Sequence, residues 1–240
     1  MSEETFAKLL QVLRDLYSAI QSMAGFTPRQ NSIKTQSLAD KISRIDQLNT
    51  DIAKKEEIIG KKQKERQLLV YGRFEKDGQD GIIRLTRQVV KYVDGLGEEC
   101  ESELERIKRL LDKIAPSKSR RKPKDETDKT HSVSERSFGS MEKNARDIHS
   151  VIKDISDYAP VDTNIGVEKF GDKVAQLKTY NEEISDLINK ELSSLVKKRQ
   201  IEYSSKTNGI RKILSESKKY VIGCYGINSD EYNKIRLIKI

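Results

Sequence analysis

Two histidines, two cysteines and one dense basic run are the groups in this 240-residue chain whose types could do chemistry. His131 stands in a polar stretch and His149 beside the apolar Ile148. A zinc site needs His, Cys or carboxylate ligands at short fixed intervals, and neither Cys100 nor Cys224 has a close Cys or His companion. A di-iron bundle would carry Glu-x-x-His pairs on facing helices, and that pattern is missing from the sequence. Gly78-Gln-Asp-Gly81 has neither the spacing nor the lysine of a phosphate loop, and Gly95-Leu-Gly97 reads as a helix terminus. No catalytic residue, metal or cofactor is expected, and two isolated thiols exclude a disulfide scaffold.

The basic run is Lys118, Arg120, Arg121, Lys122 and Lys124. Residues 115–133 hold six basic and three acidic side chains, so they carry +3 of the chain's +8. Residues 116–130 are polar, rich in Ser, Pro and Lys, and free of apolar side chains, which is the composition of a solvated linker. The alternative is a basic arm that binds nucleic acid weakly through phosphates, or a targeting segment. Aromatic platforms for single strands are lacking there.

The elements that would position these groups are helical. Charged residues make up 35% of the chain and aromatics only 6%, so the core must rest on Ile, Leu and Val, with charge on the exposed faces of long helices. No stretch approaches eighteen uncharged apolar residues, so no membrane span is expected. Residues 1–6 are acidic and lead directly into an amphipathic pattern, so no secretory signal is expected either.

The chain also reads twice. Shifted by 132 residues, 26–52 falls on 158–184 with Pro28/Pro160, Ile33/Ile165, Asp40/Asp172, Lys41/Lys173, Asn49/Asn181 and Ile52/Ile184 identical. Shifted by 128, 81–107 falls on 209–235 with Gly81/Gly209, Lys91/Lys219, Tyr92/Tyr220, Val93/Val221 and Gly95/Gly223 identical. Two amphipathic helices align their apolar positions by chance, but not a proline, an asparagine and two glycines in register.

Each copy should hold a short, a long and a short helix, with a further short one after it. The spacing predicts helices over about 3–24 and 135–157, then 33–71 and 165–204, then from Gly81 and Gly209, and last 99–114 and 229–237. The seam of the second long helix runs Phe170, Val174, Leu177, Asn181, Ile184, Ile188 and Leu195, in steps of four and three as in a coiled coil. Asn49 and Asn181 share one seam position, and we expect both amides buried and hydrogen-bonded, to each other in the simplest case; the alternative is a surface position. Pro28 and Pro160 mark the turn before each long helix. Gly226 suits the positive-φ residue ending a helix, and Ser229 the cap of the next. The final Ile-Arg-Leu-Ile-Lys-Ile alternates like a short docking strand or a packed tail.

The fold expected is all-α: a tandem duplication of a three-helix, short-long-short unit forming an antiparallel helical bundle with coiled-coil-like long helices. Its parts are repeat 1 over 1–114, a basic linker over 115–133 and repeat 2 over 134–240, packed as one bundle or as two. The function expected is non-enzymatic: a helical interaction or scaffold protein with a protein partner or a second copy. The alternatives are a weak nucleic-acid-associated protein using the linker, and a ligand-binding bundle with a site between repeats.

The second copy resembles an uncharacterised family of helical proteins encoded in Bacteroidetes genomes. The resemblance rests on Ser132-Val-Ser134, Tyr158-Ala-Pro160, Leu177 with Asn181, Arg199 with Tyr203, Gly209, Lys219-Tyr220-Val221, and Tyr225-Gly226 with Ser229 and Tyr232. It departs at Asp230, where the family often has proline. The resemblance implies a bacterial cytoplasmic protein and no activity, cofactor or partner.

Overall fold

The structure, a computed structural model, describes residues 3–72, 80–115 and 137–239. Among the described residues every regular element is helical and no strand forms. Helix α1 (Glu3–Gln21) buries Phe6, Leu9, Leu10, Leu13, Leu16 and Ile20, the stripe that a 3.6-residue period predicts. Its first turn carries Glu3 and Glu4, favoured at the positive end of a helix. The turn that follows contains the buried Pro28 and a short 3₁₀ turn, Asn31–Ile33. Helix α2 (Thr35–Tyr71) then runs for 37 residues, about 55 Å at 1.5 Å per residue. Two shorter helices complete the first half, α3 (Ile82–Asp94) and α4 (Glu101–Ile114).

The second half repeats this order. Helix α5 (Phe138–Asp154) is capped by Ser137, whose side chain accepts from the Ser140 N–H. After the half-buried Pro160 and the 3₁₀ turn Thr163–Ile165 comes α6 (Val167–Asp186). It passes through a π-helical turn, Leu187–Leu192, into α7 (Ser193–Ser204). Helices α8 (Ile210–Tyr225) and α9 (Asp230–Arg236) follow.

The π turn corrects one expectation. Phe170, Val174, Leu177 and Ile184 are buried on the predicted seam, yet Ile188 is 38% exposed. A π turn takes in one residue more than an α turn, so the buried face beyond it passes to Arg199 and Tyr203. The tail is corrected as well. Residues 230–236 are helical, with Ile235 buried, and Lys218 Nζ donates to the carbonyls of Arg236 and Ile238.

The chain forms two compact units, 1–57 with 187–240, and 58–186. In the first, α1 packs on α8 and α9, and its core joins Leu13, Leu16, Ile20, Ile33, Leu38 and Ile45 to Tyr203, Ile213 and Val221. In the second, α5 packs on α4 and α6, and its core joins Leu85, Val89, Val93 and Ile107 to Ala145, Ile148, Ile152 and Phe170. Each unit therefore draws on both sides of the predicted 115–133 stretch.

Two glycines are fixed by close backbone approach. Gly81 and Gly209 each precede a helix in extended conformation, with φ and ψ of −76° and 162°, and −74° and 158°. A Cβ on Gly81 would lie 2.3 Å from the Gly72 nitrogen, and one on Gly209 2.4 Å from the Ser205 oxygen. Gly226 ends α8 at φ 90°, and Ser229 Oγ accepts from the Tyr232 N–H at 3.1 Å, as expected of a helix end and a cap.

Candidate functional site

The polar groups that the fold brings together lie along the long helices. In the first unit Arg199 of α7 is only 5% exposed. Its guanidinium sits over the Phe6 ring, Cζ 4.3 Å from the centroid. Nη1 donates to Glu3 Oε2 at 2.9 Å and to Asn49 Oδ1 at 3.4 Å, and Nη2 to Glu3 Oε1 at 2.5 Å. Nε is buried with no partner. Tyr203, one turn on, meets Phe6 at a ring separation of 4.7 Å. Burial pushes its phenol up, while Asn49 and Arg199 pull the other way. Its hydroxyl is close to those groups but aligned with none of them well enough for a sound hydrogen bond.

The second unit holds a matching cluster. The Arg66 guanidinium of α2 lies over the Phe138 ring, Cζ 3.8 Å from the centroid, and Nη1 donates to Asn181 Oδ1 at 3.1 Å. Asn181 Nδ2 donates to the Phe138 carbonyl at 3.1 Å. Burial pulls the Arg66 guanidinium below its ordinary range.

Both seam asparagines are thus half-buried and hydrogen-bonded, but to arginines rather than to each other. Asn49 falls in one compact unit and Asn181 in the other. Hydrophobic period shows which face a residue occupies and is silent on which helix lies opposite. Arg66 and Arg199 escaped the sequence argument for that reason. An offset of 133 residues past the π turn would have placed one over the other.

Ion pairs line the same helices. Lys41 is 2% exposed, and its Nζ donates to Glu202 Oε2 at 2.7 Å, while Arg44 Nε reaches Glu202 Oε1 at 3.4 Å. Burial alone would raise the Glu202 carboxyl, but Lys41 first and then Arg44 outweigh it and hold the carboxyl below its ordinary value. Lys55 pairs with Glu191, and Lys62 with Glu183 at 2.6 Å. That hydrogen bond from Glu183 raises the Lys62 ammonium against a smaller opposing effect of burial.

Three cavities belong to these features. One of about 440 Å³ is lined by Phe6, Leu10, Ile52, Asn49, Arg14 and Arg199, with Glu3 and Glu56. A groove of about 400 Å³ lies between Arg44, Gln47, Leu48, Lys198, Ile201 and Glu202. Another of about 290 Å³ in the second unit is lined by Glu65, Leu68, Leu69, Lys173, Gln176 and Tyr180, with Asp80.

The remaining predicted positions are soon placed. Cys100 is half-buried and Cys224 exposed, both free thiols. His149 is half-buried, with Nε2 3.1 Å from the Val167 carbonyl. Lys118, Arg120, Arg121, Lys122, Lys124 and His131 lie outside the described residues. Among the described residues no group of three His, Cys, Asp or Glu is placed to hold a metal ion, and no helix is long and apolar enough to cross a membrane.

Fold and site together define an all-helical protein whose long helices are joined by arginine, asparagine and lysine contacts. No protein family, curated protein or solved structure matches the chain.

Proposed function

We propose that this is a non-enzymatic helical interaction or scaffold protein, built by tandem duplication and closed by exchange between its two halves. The crossed arginine clusters carry this proposal. Arg66 of the first half meets Asn181 and Phe138 of the second, and Arg199 of the second half meets Asn49 and Phe6 of the first. Phe6/Phe138 and Asn49/Asn181 are related by 132 residues, and Arg66/Arg199 by 133. The π turn at Leu187–Leu192 supplies the extra residue.

Contact order within each unit supports an antiparallel pairing of the long helices. In the first unit, partners descend from Lys41–Glu202 through Asn49–Arg199 to Lys55–Glu191. In the second they descend from Lys62–Glu183 to Arg66–Asn181. Asn49 and Asn181 on that seam fit the part polar residues play in fixing register.

The interaction surface proposed is the pair of grooves beside Ile201 and Leu68. These residues are 63% and 41% exposed and are related by the same 133-residue offset. Large apolar side chains at the mouth of a charged groove suit an apolar anchor from a partner protein. The test is affinity capture from native cells, with nuclease-treated controls, comparing the wild type with Leu68→Lys/Ile201→Lys. Partners held by the wild type and lost from the folded double variant support the proposal. An identical set of captured proteins refutes it.

A further inference from the structure

We propose that the cavity beside Arg199 binds a small monocarboxylic acid with an apolar body, and that Glu3 is the internal carboxylate this ligand displaces. The site is separate from the Ile201 and Leu68 grooves and does not rest on their role. Its volume of about 440 Å³ lies within the range of about 300–1,000 Å³ usual for small-molecule sites. Phe6, Leu10 and Ile52 form apolar wall, and Arg199 and Asn49 give it one polar end.

The argument begins with the desolvated cation. Arg199 is 5% exposed, and a buried guanidinium is tolerated only with an anion beside it. Here that anion is Glu3, whose side chain is 77% exposed and comes from the first turn of α1. The buried partner is held in place by Phe6, while the exposed one is free to rotate into water. Its two oxygens occupy the Nη1 and Nη2 fork as the carboxylate of a ligand would. The planar fork favours a bidentate carboxylate.

The other charged groups narrow the ligand further. Arg14 is already held by Asp46 at 2.8 Å, so Arg199 is the cation a ligand meets. Glu56 on the rim opposes a second negative charge, which selects a monoanion over a phosphate or a dicarboxylate. With Glu3 tethered at an effective concentration on the order of millimolar, a free acid competes poorly in the resting protein. Glu3 thus acts as a gate on the site.

The test titrates hexanoate, its neutral counterpart hexanamide, and phosphate into the full chain, read by calorimetry and by the NMR signals of the Phe6 and Tyr203 rings. Glu3→Gln should bind hexanoate at least about tenfold more tightly than the wild type, because the tethered competitor is gone. Hexanamide and phosphate should leave both proteins unchanged. Ala53→Trp, at an exposed position on the cavity wall, should abolish hexanoate binding when added to Glu3→Gln while circular dichroism stays helical. Where Glu3→Gln is unstable alone, hexanoate should raise its melting temperature and hexanamide should not. Equal affinity of hexanoate for wild type and Glu3→Gln overturns the proposal. So does binding of hexanamide as strong as that of hexanoate, or no response of Glu3→Gln to either.

Discussion

The Lys41–Glu202 pair makes an asymmetric prediction. Lys41 has a side-chain exposure of 2% and Glu202 one of 23%, so the two partners pay different desolvation penalties. Replacing Glu202 by Gln leaves a buried ammonium with no anion within hydrogen-bond distance. Breaking a buried pair in this way costs about 3–5 kcal/mol, and the part of Glu202 that water reaches argues for the lower figure, about 3 kcal/mol. Replacing Lys41 by Met removes the ammonium and keeps the volume. Glu202 then retains Arg44 at 3.4 Å and its own contact with water, so the cost should be about 1 kcal/mol or less. In the Lys41→Met background, Glu202→Gln should add little, which sets a coupling energy of about 2–3 kcal/mol.

Urea denaturation followed by circular dichroism measures all four proteins, with a shifted midpoint at constant slope as the sign of a simple stability change. The same pair predicts a pH dependence. The Glu202 carboxyl is held below its ordinary value, so its stabilisation is present above the unfolded value of about 4.3 and is lost as pH falls through the folded one. The gap between wild type and Glu202→Gln should therefore close below about pH 4. A Lys41→Met cost equal to that of Glu202→Gln, or a gap that persists into acid, would refute the reasoning.

Three more outcomes follow from the packing. Gly209→Ala places a methyl 2.4 Å from the Ser205 oxygen and 2.9 Å from the Tyr203 oxygen, both backbone, so a loss of about 3 kcal/mol or more is expected in thermal melts. Gly171→Ala puts its Cβ 2.7 Å from His149 Nε2, which also contacts the Val167 carbonyl; a loss of about 1–3 kcal/mol is expected, relieved in the double variant with His149→Ala. Trypsin cleavage between Lys118 and Lys129, the expected first cut for an exposed polar stretch, should leave the two fragments together in gel filtration under native conditions, because each compact unit needs both. Separation of the fragments without denaturant would contradict that dependence.

How far the sequence could be read depended on whether a feature was local or relational. The stripe from Phe6 to Ile20 is buried as its period indicates, and Ser229 caps α9 as its place before Asp230 and Glu231 suggests. Gly81 and Gly209 were noticed as a matched pair, and the backbone approach of 2.3 and 2.4 Å shows why neither can carry a Cβ. Those features are settled by neighbours within a few turns. The partner of Asn49 is another matter, since Arg199 lies 150 residues away. The π turn defeats pattern reading for a further reason. It shifts the buried face by one residue in mid-helix, so Ile188 looks like seam and is 38% exposed, while the charged Arg199 is buried.

The departures from duplication carry as much physical meaning as the identities. On the duplicated reading, Lys173 is the counterpart of Lys41, and Leu69 that of Glu202. Lys173 and Leu69 line one cavity in the second unit, where Lys173 is half-buried rather than fully buried. Pairing a first half with another first half would set Lys41 against Leu69 and leave its ammonium buried without an anion. Pairing the two halves with each other gives it Glu202 instead. Lys55 against Glu191 argues the same way, because the counterpart of Glu191 in the first half is Ile58. A repeat that could otherwise pair with its own copies thus carries charges that reward one arrangement and penalise another, which is how related helices achieve specificity. The penalty falls where water is scarcest, at Lys41, and there a missing counter-charge is least tolerated.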